Sequence, residues 1–331
     1  MKNTQTRNKK LSPVRIVKGI ILAVALFLLA DYLIRHSHEF HFLKSLRVAY
    51  IIPVVLLNVF ILFLSGYRFY LLLTNVAHRI PIYTVFKTFI FSRFVNKFVP
   101  FGGSVYRAVA FKISDGVSYK KYIASSVAFD WLNLIFSTLL GIIVIEFYDP
   151  RLKISDIPLI PVFVGAFLLL ILGILLMKKG IRFFLRLFSA GWLGKRLDDA
   201  VEIADNVKSV LGNPSILWGN SIIVFLIIGS NLCSYFLLFK SVGVDMNAAL
   251  LLVYLIINRI FRSMRITPAN LGIREFLMGF LTYSLGAGPA EGVAVSIMAR
   301  VIILLIQGGL SLGFLSVEGV RRFSSHEKDR V

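Results

Sequence analysis

Apolar stretches of about 20 residues recur along the whole chain, and no other feature constrains its fold as strongly. A helix of that length rises about 30 Å, which matches the thickness of the hydrocarbon core of a bilayer. Hydrophobic residues make up 57% of the 331 residues, charged residues make up 16%, and the mean hydropathy is +0.80. These values exclude a soluble enzyme with one anchor and predict an all-α, polytopic integral membrane protein.

The net charge of +20 would suggest nucleic acid as a partner if the protein were soluble. Here the lysines and arginines cluster at the ends of apolar segments, where they face anionic lipid headgroups and determine topology. We therefore predict the membrane, and no nucleic acid, as the partner of this charge. The single cysteine, Cys233, lies in an apolar run and excludes an internal disulfide.

Six apolar segments are long enough to be full membrane spans. They lie near residues 16–34, 47–67, 122–145, 157–176, 215–239 and 292–317. The predicted cytoplasmic segments carry about four times as many Lys and Arg residues as the predicted external loops, which places both termini in the cytoplasm. The predicted organisation is a basic N-terminal tail (1–15), one membrane domain (16–318) and a C-terminal tail (319–331).

Two further apolar stretches, about 83–114 and 248–285, are each interrupted near the middle. The interruptions read VPFGGS at 99–104 and TPANLG at 267–272. Proline and glycine within a membrane helix leave backbone groups that protein or water must satisfy. We therefore predict two re-entrant hairpins, each made of two half-helices, and counting each hairpin as a span gives eight in total.

The two halves of the chain align without gaps when Gly116 is placed on Gly286. The apolar segments 123–127 and 293–297 then coincide as well. Repeat one (16–145) and repeat two (157–317) have the same order of elements in opposite orientations, which is an inverted-topology repeat. The alternative is that two apolar, glycine-containing segments align through composition alone.

Basic and polar residues crowd around both breaks. A charge at the bilayer centre costs about 2.5–3.5 kcal/mol, so these side chains should face a wet cavity, a partner or an anionic ligand. Ser104 and Asn270 stand at the predicted N-caps of the second half-helices, whose N-termini would stabilise an anion. The alternative is that the side chains snorkel or pair internally. The predicted headgroup-binding residues are Arg93, Asn96, Lys97, Gly102, Gly103, Ser104, Arg107, Arg259, Arg262, Arg265, Asn270, Gly272, Arg274 and Glu275.

Asp130 and Arg300 occupy equivalent positions in the aligned halves. Each lies about 12 Å into its predicted span, so the two residues are predicted to form a buried ion pair or to couple transport to a proton. The external stretch 36–41 contains three histidines and a glutamate, but no matching ligand set occurs elsewhere. We therefore predict neither a metal site nor a cofactor.

The segment NKFVPFGG (96–103), with Arg107 after it, resembles the first-half motif of the flippase-like transmembrane region of lysylphosphatidylglycerol synthases. The segment PANLGIRE (268–275), followed by a span containing Arg300, resembles the proline–glycine–Arg-Glu signature of the same family, although Ala269-Asn270 replaces its more usual glycine-rich form. The resemblance covers residues 15 to 318. It implies a plasma-membrane domain that moves anionic or aminoacylated phospholipids, or polyprenyl-linked carriers, between leaflets. The soluble aminoacyl-transferase domain of the two-part synthases is expected to be absent.

Three functions are compatible with these features. The first is a lipid flippase or lipid-carrier transporter whose ligand is an anionic phospholipid or a polyprenyl-phosphate lipid. The second is an anchor or scaffold for a separately encoded lipid-modifying enzyme, with the basic cytoplasmic loop 177–214 as the docking surface. The third is a polyprenyl-phosphate-dependent glycosyltransferase, which is less favoured because no catalytic arrangement of carboxylates or histidines is evident. A homo-oligomer remains open under each of them.

Overall fold

The computed structural model describes residues 46–76, 80–99, 101–154, 156–187, 192–263, 272–284, 286 and 288–328. At some helix ends the description covers the backbone only. The N-terminal tail and the first predicted span (16–34) lie outside the described residues.

Within these residues the chain is almost entirely helical. A 3₁₀ turn (Val48–Tyr50) leads into the first helix, and a two-residue hairpin with antiparallel strands β1 (Lys153–Ile154) and β2 (Ile157–Pro158) joins the fourth and fifth. The helices are α1 (Ile51–Val76), α2 (Ile82–Val95), α3 (Gly102–Asp115), α4 (Tyr119–Tyr148), α5 (Leu159–Leu187), α6 (Trp192–Leu211), α7 (Pro214–Ser241), α8 (Ala248–Ser263), α9 (Ile273–Ser284) and α10 (Pro289–Lys328).

Five helical stretches of the described chain are long and apolar enough to cross a membrane. They are Val48–Thr74, Tyr119–Tyr148, Leu159–Met177, Pro214–Ser241 and Pro289–Phe314. Each coincides with one of the six predicted spans, so the all-α, polytopic class is confirmed. Large apolar side chains, such as Leu169 on α5 and Leu305 on α10, are exposed on their outer faces, as contact with lipid requires.

Both interrupted stretches form two short helices instead of one long helix. Helices α2 and α3 have 14 residues each, and α8 and α9 have 16 and 12. Because an α-helix rises only about 1.5 Å per residue, none of the four is long enough to cross a hydrocarbon core of about 30 Å. The predicted half-helices are therefore present, and their re-entry into the membrane from opposite sides remains a prediction.

The helix that follows each hairpin begins at an equivalent position. Helix α4 begins at Tyr119 and α10 at Pro289, and these two residues coincide when Gly116 is aligned with Gly286, as the sequence predicts. Gly116 and Gly286 themselves have φ angles of 66° and 86°. Glycine adopts this left-handed conformation without a steric penalty, so the two turns have the same backbone requirement.

Helices α1 and α7, which are equivalent in the predicted repeat, pack against each other along their lengths. Asn58 donates to the Ser234 hydroxyl at 2.9 Å, and further along α1 Arg68 donates to Asn220. Residue numbers therefore rise on α1 as they fall on α7, so the two helices are antiparallel. Each hairpin also packs on the last span of the other half, α2 on α10 and α8 on α4. An inverted repeat would produce this reciprocal packing.

The interior consists of two hydrophobic clusters. One lies between α7, α8, α9 and α10 and includes Phe239 and Tyr254. The other lies between α1, α2, α3 and α4 and includes Phe69, Phe89 and Phe111, whose rings pack within about 6 Å of one another around Phe69. Each hairpin is therefore held by an apolar core of its own.

Replacing Gly103 by alanine is expected to destabilise the first hairpin. An added Cβ would overlap the backbone carbonyl of Ser92 and lie 2.7 Å from the side chain of Asn96. Such overpacking costs about 1–3 kcal/mol, so thermal unfolding in detergent should occur at a lower temperature. The matched control is Gly229→Ala on α7, where an added Cβ meets nothing within 4 Å. Equal melting temperatures for the two variants would contradict this packing.

Candidate functional site

The first hairpin turns between α2 and α3 through a side-chain cap. The Asn96 carboxamide oxygen accepts a hydrogen bond from the Gly103 backbone N–H at 2.8 Å. Phe101 occupies the N-cap position with φ 63° and makes no side-chain capping bond. The predicted N-cap at Ser104 is wrong, since Ser104 lies inside α3. A residue of the preceding helix takes this role because Gly103 has no side chain to keep it away.

Arg107 lies on α3 and is 9% exposed. Its guanidinium carbon is 5.0 Å from the ring centre of Phe69 and 5.6 Å from that of Phe89. Its Nε atom is buried and has no hydrogen-bond partner, and no carboxylate pairs with Arg107 among the described residues. Two aromatic faces offset only part of the cost of burying a charge, so this guanidinium can still bind an anion.

Arg93, on α2, approaches the same aromatic surface. Its guanidinium carbon is 4.8 Å from the ring centre of Phe89, and the side chain is half-buried. Lys97, in the turn that follows α2, is also half-buried. The structure thus brings Arg93 and Arg107 to the same ring, while their predicted binding of a headgroup remains a prediction.

Arg68, on α1, is a buried cation that the sequence analysis missed. It is 1% exposed, and it donates to Asn133, Asn220 and the backbone carbonyl of Phe129, the last at 3.2 Å. The apolar run near 47–67 ends just before Arg68, but α1 continues to Val76 and carries Arg68 into the bundle. Asn133 and Asn220, which lie in apolar runs, could have indicated this buried arginine. Polar side chains in membrane helices usually find partners on other helices.

A single carboxamide connects the two halves of the chain at this point. The Asn133 oxygen accepts hydrogen bonds from both Arg68 and Arg259. Arg68 interacts electrostatically with three charged side chains, those of Arg259, Asp130 and Arg93. We call Arg68, Arg93, Arg107 and Arg259 the guanidinium cluster. Three of its members come from the first half of the chain and the fourth, Arg259, comes from α8.

The second hairpin has one half of a capping box at the start of α9, because Gly272 has no side chain for the reciprocal bond. Gly272 has a φ of 78°, and its N–H donates to the Glu275 carboxylate at 2.9 Å. The carbonyl of Gly272 accepts a hydrogen bond from the N–H of Phe276, and this bond starts the hydrogen-bond ladder of the helix. The other carboxylate oxygen of Glu275 is 2.6 Å from Arg300 Nη2, so Glu275 both caps α9 and holds α10.

Arg274 lies next to this ion pair, but it binds a different partner. Its guanidinium donates to the Tyr235 hydroxyl at 2.8 Å, and Asn258 donates to the same hydroxyl at 3.3 Å. Arg274 is 8% exposed, and its Nε is buried without a partner in the described part of the chain. One buried guanidinium, that of Arg274, and one partly buried guanidinium, that of Arg300, thus face one carboxylate, Glu275, in this second cluster.

The predicted buried pair of Asp130 and Arg300 needs correction, because Asp130 is exposed and Arg300 contacts Glu275. The negative charge of Asp130 interacts electrostatically with the guanidinium of Arg68 instead. The backbone of Arg262 is helical, but its side chain lies outside the described residues, as do Arg265 and Asn270 entirely.

Comparison with known proteins gives one match. The family model described as "Lysylphosphatidylglycerol synthase TM region" matches residues 15–310. No curated protein and no solved structure matches the chain. The matched residues include every helix from α1 to α9 and both clusters of buried arginines.

Replacing Glu275 by glutamine is expected to destabilise the protein strongly. The change keeps the size of the side chain but removes the charge that faces Arg300 and Arg274, and breaking a buried ion pair costs about 3–5 kcal/mol. The double variant Glu275→Gln/Arg300→Met should recover part of the loss, which thermal unfolding of the four members of the mutant cycle would measure. Strictly additive effects would contradict the pairing.

Proposed function

The chain belongs to the family of the lysylphosphatidylglycerol synthase TM region, and on this basis we propose that it is a lipid flippase or lipid-carrier transporter. Its ligand is an anionic, phosphate-bearing lipid. The headgroup binds at the guanidinium cluster and at Arg274, while the acyl or prenyl chains remain in the surrounding lipid.

The observation that carries this proposal is a pair of buried guanidiniums with neutral partners. Within the described residues, Arg68 is held by two carboxamides and a carbonyl, and Arg107 by two aromatic rings. Burying the charge of Arg107 without a carboxylate beside it is costly, and a phosphate group would supply the missing negative charge. Guanidinium also matches phosphate geometrically, because two parallel N–H groups can donate to two oxygens.

The residues have distinct roles in this proposal. Arg107 and Arg93, against the rings of Phe69 and Phe89, receive the phosphate. Asn133 keeps Arg68 and Arg259 in place while no lipid is bound. When the headgroup enters, its phosphate oxygens compete with the Asn133 oxygen for the N–H groups of these two arginines. Because Arg259 belongs to the second half of the chain, binding would alter the contact between α8 and α4.

This coupling suits an alternating-access mechanism with two inverted repeats. The antiparallel packing of α1 on α7 and the reciprocal packing of each hairpin on the opposite half support such a repeat over 16–145 and 157–317. We further propose a plasma-membrane location with both tails, 1–15 and 319–331, in the cytoplasm. The distribution of Lys and Arg along the sequence supports this orientation.

The scaffold alternative is weakened by helix α6, which occupies most of the loop that would dock an enzyme. Ala204, Val207 and Val210 on α6 are buried in this chain's own core. Lys120 at the start of α4 pairs with two acidic residues of α6, Asp199 at 2.7 Å and Glu202 at 2.5 Å. The apolar face of α6 is therefore already covered.

Replacing Arg107 by glutamine tests the proposed site. We expect translocation of fluorescent (NBD) phosphatidylglycerol in reconstituted vesicles to fall by about tenfold or more, since a charge-assisted hydrogen bond contributes about 1.5–3 kcal/mol. The readout is the loss of dithionite-protected fluorescence. The control is Lys112→Gln, which removes one positive charge from the exposed side of the same helix. Equal translocation by Arg107→Gln, the Lys112 variant and wild type would exclude this site.

Replacing Asn133 by aspartate tests the competition at the bridging carboxamide. The near-isosteric carboxylate would place one negative charge beside Arg68 and Arg259, so we expect a higher melting temperature and weaker retention of phosphatidylglycerol in native mass spectrometry. Asn206→Asp adds the same charge on α6 and should leave retention unchanged. If Asn133→Asp retained phosphatidylglycerol as wild type does, the anion would not bind to this pair.

A further inference from the structure

One face of α10 is polar over most of its membrane-spanning length. Ser296, Arg300, Gln307 and Ser311 recur at intervals that place them within an arc of about 60° at about 3.6 residues per turn. From Ser296 to Ser311 the axial rise is about 22 Å, which is most of the thickness of the hydrocarbon core. We call these four residues the polar face of α10.

This face is buried, and three of its members have no partner for a polar atom. Ser296 is 0% exposed, Ser311 2% and Gln307 5%. The hydroxyl oxygens of both serines and the carbonyl oxygen of Gln307 make no hydrogen bond to any described part of the protein. In an otherwise apolar bundle, three such atoms on one helix face need a physical reason.

Several other buried hydroxyls of this protein bond within their own helix, although Ser126 on α4 does not. Ser92, Ser137 and Thr282 each donate to a carbonyl three or four residues earlier in their own helix, at 2.6–2.7 Å. This local bond is the ordinary solution for a hydroxyl in a membrane helix. Ser296 and Ser311 do not use it, although their own helix offers the same carbonyls.

The two ends of the polar face adjoin the two hairpins. Arg300 is held by Glu275 of α9, beside Arg274. At the other end, Gly308 lies so close to α2 that an added Cβ would be 3.2 Å from the ring of Phe94, one residue after Arg93. The Tyr83 and Phe314 rings pack at 5.8 Å beyond it. Helix α10 therefore contacts both hairpins, and α7 also reaches both arginine-bearing sites, through Asn220 and Tyr235.

We propose that the polar face of α10 lines the path along which the lipid headgroup moves between the two hairpins. The inference rests on the proposed function and adds to it the route and the chemistry of the headgroup. Arginines at both ends bind the phosphate, whereas the unpartnered oxygens of Ser296, Gln307 and Ser311 accept hydrogen bonds. The suitable headgroup carries hydroxyl or ammonium donors in addition to its phosphate.

The opposite side of α10 provides matched controls. Val301, Leu305 and Leu312 are exposed apolar residues that lie about 100–140° around the helix from Arg300. They lie on the same helix, and Leu312 is only one residue, about 1.5 Å along the axis, from Ser311. A difference between Ser311 and Leu312 therefore cannot be attributed to depth in the membrane or to the local stability of α10.

Cysteine accessibility tests whether water and polar groups reach this face. In a Cys233→Ser background, which removes the single native thiol, Ser296→Cys and Ser311→Cys are nearly isosteric changes. We expect a membrane-impermeant anionic methanethiosulfonate to modify them at least about tenfold faster than Leu305→Cys and Leu312→Cys, because only a hydrated thiol ionises to the reactive thiolate. Equal rates for both faces would overturn the proposal.

Replacing Gln307 by leucine separates transport from folding. Removing an unsatisfied buried polar group should leave the melting temperature equal or higher, while translocation of NBD-phosphatidylglycerol falls by about tenfold. Unchanged translocation would exclude Gln307 from the path. If Ser296→Cys and Ser311→Cys react but the wild-type protein moves no lipid, the proposed function fails while the hydrated path stands. The two failures are therefore distinguishable.

Discussion

Positive charge inside an apolar bundle is the constraint on which the rest of this structure depends. Arg68 and Arg107 are buried among aromatic rings and carboxamides, and each neighbouring element contributes something that makes this tolerable. Helix α1 supplies Phe69, α2 supplies Phe89, and α4 supplies the carboxamide of Asn133. The first hairpin and the contact between the two halves are thus arranged around guanidiniums whose hydrogen-bond and ring partners, within the described chain, are neutral. A bundle that served only as an anchor would gain stability by replacing these arginines with apolar side chains.

The second hairpin stabilises its arginine charges in a different way. Glu275 holds the start of α9 and binds Arg300 of α10, so one carboxylate fixes two helices and neutralises one charge. Arg274 relies on the hydroxyl of Tyr235, which lies on α7 and has no formal charge. The two hairpins therefore share a backbone plan but differ in electrostatics: within the described residues the first has no acidic partner for Arg107, whereas the second contains Glu275.

The positions of the spans and half-helices could be predicted from the sequence, because span length and helix interruption depend on local composition. Five described spans and both pairs of half-helices appear where apolar length and the proline-glycine breaks place them. Tertiary partners were harder to predict. The position of Arg68 depended on how far α1 continues past its apolar run. The cap of α3 came from Asn96, at the end of the preceding helix, and no N-cap rule anticipates such a partner. The pair of Asp130 and Arg300 was inferred from matched depth alone, whereas packing placed Glu275 nearer to Arg300.

The turn at Phe101 makes the two halves energetically unequal. Its φ of 63° lies in the left-handed region, which costs a residue with a Cβ about 1–2 kcal/mol, whereas Gly272 at the equivalent turn adopts a φ of 78° without that penalty. The first hairpin therefore holds backbone strain that the second avoids, and the packing of α2 and α3 has to offset it.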